Sequence, residues 1–267
     1  MHLKFDKFDF IIDKQCVQNS LLIVISGSHA YGWESYHSDL DIRRVFFPDI
    51  NQALSVFYRC RTKQFTQGDI DITEYPIQDF IRLLAKGNGN ALDNLFEVNG
   101  PPFPHPTFPY DKTKTSELQS IVLEHLHKGF LMHCTGYDTH IVKDMENKTR
   151  LERYGEHKLL LNRYKILLEG LILAKYNKVV YNLLKQQDYI KTEHCLSLRE
   201  EYLALSETQA SGYDLHSLCD AAIIEADELH SQLVNETENS GWSTAHQNTL
   251  DIALEHWLID QYLPKSP

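Results

Sequence analysis

Five of the nine prolines in this chain fall within ten residues, GPPFPHPTFP at 100–109. Proline fixes φ and carries no backbone N–H, so neither a helix nor an interior strand runs through such a stretch. Phe103 and Phe108, interleaved with the prolines, predict a connector that lies against the surface and does not swing free. The chain is therefore read as two regions, residues 1–110 and 111–267.

Before the connector the pattern is mixed. Residues 8–19 suit a short helix. Residues 21–26, LLIVIS, read as a buried strand, and 40–47, LDIRRVFF, as a second. Residues 53–60 and 68–75 are weaker strand candidates. Phe80, Leu83 and Leu84 recur at helical spacing over 79–86, Gly87-Asn88-Gly89 stops that helix, and 91–98 begins another. After the connector, apolar residues recur every three or four positions over 116–133, 157–176, 178–188, 192–206 and 213–236. Interruptions are polar or fall at Gly136, Gly212 and Gly241. The expected class is α+β: a small mixed-sheet head with flanking helices, followed by an all-helical C-terminal region.

Composition narrows the function classes. Lys and Arg number 26 against 37 Asp and Glu, a formal net charge of −11. Sequence-independent binding to duplex DNA rests on many Lys/Arg–phosphate contacts, so this balance argues against it. The longest purely aliphatic run, 21–25, is far too short to span a bilayer. The N-terminal MHLKFDKFDFIID has no secretory apolar core, and a cytoplasmic protein without a membrane partner is expected. Cys16, Cys60, Cys134, Cys195 and Cys219 are scattered, with no C-x-x-C pair. They read as reduced thiols and not as a zinc or disulfide framework. The fourteen histidines show no metal-ligand spacing. Trp33, Trp242 and Trp257 read as packing residues.

The chemistry concentrates between residues 21 and 47. An aliphatic strand runs into Gly27-Ser28, and Asp39 and Asp41 follow, one residue apart. Strand alternation puts both carboxylates on one face and Leu40 and Ile42 on the other. Two adjacent carboxylates repel each other unless a cation lies between them, and hard oxygen donors suit Mg2+ or Mn2+. Gly27 permits a positive φ and close backbone approach, and Ser28 offers a hydroxyl to a phosphate oxygen. Gly, Ser and Asp are also ordinary turn residues. A third carboxylate completes such a set, and DIDITEY at 69–75 offers one. Asp71 is the first choice and Asp69 the rival, whereas Glu74 alternates to the apolar face. Arg43 shares the face of Asp39 and Asp41, where either an ion pair or a phosphate contact fits.

GSHAYG at 27–32 followed by SDLDIR at 38–43 resembles the signature of the DNA-polymerase-β-like nucleotidyltransferase superfamily. The likeness is closest to its RNA-repair, RNA-ligase-associated branch. It continues at Asp71-Ile72, Tyr75, Phe80, Leu83, Lys86-Gly87-Asn88 and Leu92, with Gly89 where that family often has proline. It covers about residues 20–98, and KLLLNRYKILLEGL at 158–171 is a weaker echo. The resemblance implies that Gly27 and Ser28 hold the β- and γ-phosphates of an NTP, with Lys158 and Arg163 reaching the same phosphates. It also implies that Asp39 and Asp41 bind two Mg2+ or Mn2+ ions. Asp71 would bind the catalytic ion and assist deprotonation of the acceptor. An NMP, AMP before the others, would pass to a hydroxyl on RNA, a protein or a small molecule, and pyrophosphate would leave. A competing class is a non-catalytic nucleotide-binding or protein-interaction module, such as a toxin–antitoxin or phage-defence component. Retention of Asp39, Asp41 and Asp71 favours the enzyme.

Overall fold

The computed structural model describes residues 19–35, 37–57, 60–97, 111–208 and 216–263. Among these, four strands form one mixed sheet: β1 (Ser20–Ser26), β2 (Leu40–Phe46), β3 (Lys63–Gln67) and β4 (Ile70–Pro76). The spatial order is β1-β2-β4-β3. β2 runs antiparallel to β1 and parallel to β4, and β3 pairs antiparallel with β4. The β3–β4 hairpin closes through Gly68-Asp69, where Gly68 has φ +61, the left-handed step that a two-residue hairpin turn needs.

Short helices punctuate the head: α1 (Gly27–Tyr31), α2 (Ile50–Leu54), α3 (Ile77–Ala85) and α4 (Gly89–Glu97). The helical region holds α5 (Lys112–Glu124), α6 (Lys128–Glu146), α7 (Lys148–Tyr154) and α8 (Glu156–Tyr176). It continues with α9 (Leu183–Gln186), α10 (Cys195–Thr208), α11 (His216–Asn239) and α12 (Thr244–Tyr262). α8 is buried without a break from Arg163 to Leu173, the mark of a helix packed on all sides; α6, α10 and α11 surround it. The architecture is thus α+β with a helical C-terminal part.

The two faces of the sheet differ. Leu22, Val24 and Val45 belong to an apolar core that continues through α3, α4, α5, α6 and α8 as far as Trp257. This core draws residues from both sides of position 110. Ile23, Ile25, Leu40, Ile42, Ile70 and Ile72 form a separate apolar cluster on the opposite face. Trp33 and Trp257 are buried in the main core, and Trp242 packs against it. Cys60, Cys134, Cys195 and Cys219 are free thiols. No helix of the described residues is long and apolar enough to cross a membrane.

Several expected elements differ. Among the described residues of 53–60 no strand forms. Asp49 instead accepts a hydrogen bond from Asn51 N (2.8 Å) and caps α2, and the strand forms later, at β3. β3 is exposed at every position, so it lacks the alternation that marks a half-buried strand. The expected helix 116–133 is split at His125–His127, because His127 Nδ1 accepts from Gly129 N (3.0 Å) and starts a new helix that runs to Glu146. Over 178–188 only α9 is helical; Asn177, at φ 53, ends α8. α12 was not foreseen. Residues 8–18 of the expected helix and the proline connector lie outside the described residues, and Asn19 stands in a turn.

Candidate active site

The site forms where β1 passes into α1. Residues 27–32, expected as a turn and loop, make a short helix closed by Gly32. The Ser26 side chain makes no cap hydrogen bond, and the first-turn N–H groups have no intrahelical acceptors. Among the described residues no side chain accepts from them.

Strand register then assembles a polar row. Ser26 pairs with Asp41, Asp41 with Asp71, and Asp71 with Thr66. Paired residues on neighbouring strands share a face and stand about 4.8 Å apart along the row. Asp41 and Asp71 therefore present their carboxylates side by side, on the face that carries the main core further along. A Cβ on Gly27 would lie 2.1 Å from Asp41 Oδ2, and Gly27 has φ +65. Glycine at that position is what lets the α1 backbone close over the carboxylate. Asp39 is exposed and lies one residue ahead of β2. Asp69, the rival to Asp71, is exposed in the hairpin turn, where its carbonyl accepts from Leu40 N (2.9 Å).

Both central carboxylates have partners. Asp41 Oδ1 accepts from Arg43 Nη2 (2.9 Å), and Asp71 Oδ1 accepts from Thr66 Oγ1 (2.6 Å). Arg43 thus forms the ion-pair alternative left open above. Among the described residues, no three Asp, Glu, His or Cys side chains converge tightly enough to cage an ion. Two adjacent carboxylates nonetheless fit Mg2+, which usually takes one or two carboxylates and fills its other positions with water and substrate phosphate.

The helical region grips α1 from behind at three consecutive residues. Asn182 Nδ2 donates to the Ala30 carbonyl (2.9 Å), and Arg199 Nε donates to the Gly32 carbonyl. Between them, Tyr31 donates through its hydroxyl to Asp93 Oδ2 (3.3 Å), and Lys165 Nζ stands 4.4 Å over its ring. Lys165 is paired with Asp93 and Glu169 in a fully buried cluster. Burial alone would lower the Lys165 pKa, but Asp93 and Glu169 outweigh it and hold the ammonium charged. Burial and neighbouring Asp93 push the Glu169 carboxyl well up. Burial likewise raises the Tyr31 hydroxyl.

Of the two cations placed on α8 by the resemblance, Lys158 is half-buried in the first turns of the helix. Arg163 is 2% exposed and engaged elsewhere, with Asp138 (2.8 and 3.2 Å) and Asp227 (2.9 Å). His29 is buried. Sequence reasoning passed over Asp93, Lys165, Glu169, Asn182 and Arg199. One local signal was available, Lys165 and Glu169 at helical i,i+4 spacing in an otherwise apolar stretch.

A family model described as the RNA repair pathway DNA polymerase beta family matches residues 5–260. The chain belongs to that family. The match takes in the helical region as well as the head. No curated protein matches the chain. For a polymerase-β family member, a glycine-backed strand end beside paired aspartates is chemically apt for nucleotidyl transfer: free N–H groups for phosphate lie next to hard oxygen donors.

Proposed function

We propose that this protein is a metal-dependent nucleotidyltransferase that moves an NMP from an NTP to a hydroxyl of RNA. The observation that carries the reading is the register row Ser26–Asp41–Asp71, closed by Gly27 against Asp41. Asp41 and Asp71 would hold Mg2+ or Mn2+, with Asp39 as an outer donor. The ion supplies Lewis-acid stabilisation of the phosphoryl oxygens. Free N–H groups at Gly27 and Ser28 receive the β- and γ-phosphates, and Lys158 is the further cation for the same charge. Asp71 stands at the acceptor side, toward the sheet edge, and takes the proton of the attacking hydroxyl. The acceptor oxygen bonds to the α-phosphorus, the bond from the α-phosphorus to the bridging oxygen breaks, and pyrophosphate leaves. Such transfer asks the protein chiefly for positioning and charge stabilisation. RNA is the preferred acceptor because of the family, and AMP from ATP is the first transfer to try.

The test supplies α-labelled NTPs, Mg2+ or Mn2+, and RNA with a free 3′-hydroxyl, and follows label into RNA. Asp41→Asn and Asp71→Asn should each reduce labelling about 10²–10³-fold, the order found when one transition-state contact is removed. Labelling at wild-type level by either variant, or in excess chelator, would sink the proposal.

A further inference from the structure

We infer that the open edge of the sheet, β3 together with the segment that leads into it, is the platform on which a single-stranded RNA acceptor lies. This rests on the transferase reading above and adds the path of the acceptor. β3 is the outermost strand beside β4, and all five of its residues are exposed. It is continuous with the active site, since Thr66 is the register partner of Asp71 and donates to its carboxylate at 2.6 Å. From Thr66 the strand edge runs about 10 Å away from the aspartates to Lys63, with Gln64 and Thr66 on the face of Asp71 and Lys63 and Phe65, the partners of Glu74 and Ile72, on the other. A terminal hydroxyl placed at Asp71 would therefore leave its preceding nucleotides crossing this open edge, from the face of Asp71 to that of Phe65 and Lys63.

Charge along that path is complementary to RNA. The chain has net charge −11, yet residues 50–68 contain no Asp or Glu. Arg61 and Lys63 are exposed there and form no ion pair among the described residues. The stretch also displays large apolar side chains to water. Phe57 is 99% exposed, Val56 90%, Leu54 74% and Phe65 44%. Leu54, Val56 and Phe57 are near neighbours along the chain, and clustered exposure of that kind marks an interaction surface. Exposed aromatics interleaved with cations suit unpaired bases, which stack on the rings while the cations follow the phosphates. Thr62, between the two cations, is tied to the start of α3: it donates through N (3.1 Å) and Oγ1 (3.3 Å) to Asp79 Oδ2. Beside it opens a cleft of about 230 Å³ lined by Gln52, Ser55, Cys60, Gln78 and Arg82, rich in groups that hydrogen-bond base edges. An acidic peptide would meet the same cations but would be repelled by Asp39, Asp41 and Asp71 at the far end. RNA brings its hydroxyl to those carboxylates together with the NTP and its cation.

The experiment uses the full chain and a short, 5′-labelled, single-stranded oligoribonucleotide with a free 3′-hydroxyl. Affinity is read by fluorescence anisotropy across a salt series, and ATP–Mg2+ binding by calorimetry. Phe57→Ala should weaken RNA binding about tenfold, within the range measured for loss of one stacking platform. Arg61→Glu with Lys63→Glu should flatten the salt dependence by about 1.4 in log–log slope, the value for two lost single-strand phosphate contacts. ATP binding should be unchanged in both. All three side chains are exposed, and a circular-dichroism melt checks that the variants fold as wild type does. RNA affinity equal to wild type in both variants overturns the inference, as does a wild-type protein that does not bind the oligonucleotide. So does a change in sedimentation mass with RNA affinity untouched, which makes the edge a self-association face. Patch-dependent labelling of a protein in place of RNA overturns it as well. Failure of the transferase reading looks different: Asp41→Asn would label acceptors as well as wild type does, while the patch variants still lost RNA.

Discussion

Gly27 is the residue on which the site's geometry turns most sharply. It combines a left-handed φ with a Cβ position only 2.1 Å from Asp41 Oδ2. Gly27→Ala is therefore expected to cost about 1–2 kcal/mol from backbone conformation alone, and to displace Asp41 as well. Urea titration should show a modest fall in stability, while nucleotidyl transfer falls far more steeply. His127 makes a second residue-scale case. Its Nδ1 accepts the Gly129 N–H at the start of α6, which requires a neutral ring. Burial lowers its pKa below the ordinary 6.5. On acidification the unfolded chain takes up its proton first, so stability is full above 6.5 and is lost as pH falls toward the lowered folded value. Melting temperature should drop by about 2–4 °C for each kcal/mol lost. His127→Asn, which keeps a capping acceptor but cannot titrate, should drop less. Equal slopes for both proteins in scanning calorimetry would reject this role for the imidazole.

At the scale of elements, α8 and α1 belong together. Lys165 on α8 is buried with Asp93 and Glu169 and stands over Tyr31. Lys165→Met leaves two buried carboxyl groups without their cation, a change that typically costs about 3–5 kcal/mol; the shift in urea midpoint measures it. Asn182→Ala is milder. It removes the donor to the Ala30 carbonyl and should speed amide exchange across residues 27–31 while sparing the centre of α8. Elements with a periodic signal were legible beforehand: β1, β2, β4, α3, α4, α8 and α11 all declare themselves by apolar spacing. β3 did not, since a strand exposed at every position carries no pattern to read. The break between α5 and α6 did not either, because a histidine cap is not among the usual start signals. For the site, alternation put Asp39 with Asp41 on one face of the first strand and Asp71 with Asp69 on one face of the other, and the structure adds that Asp41 and Asp71 are register partners. Register is a property of two strands, and neither strand's sequence contains it. The same holds for the clamp on α1, whose donors lie more than 60 residues from the residues they hold.

Over the whole molecule, one apolar core joins β1 to the helices as far as Trp257. Heat should therefore unfold the head and the helical region in one transition. Trp33 reports the head, and Trp242 and Trp257 report the helical region. Fluorescence of Trp33→Phe, followed beside wild type and circular dichroism, should give a single midpoint; two resolved midpoints would refute a shared core. The hairpin at Gly68-Asp69 has a consequence for how this chain tolerates change in length. Strand alternation has a period of two, so the turn sets the phase in which every residue of β4 is read. One residue added at the turn, with the pairing of β3 kept, would turn Asp71 toward the isoleucine cluster and bring Ile70 or Ile72 to the reacting face. Two added residues would restore the phase. Along this hairpin, the parity of an insertion matters more than its size.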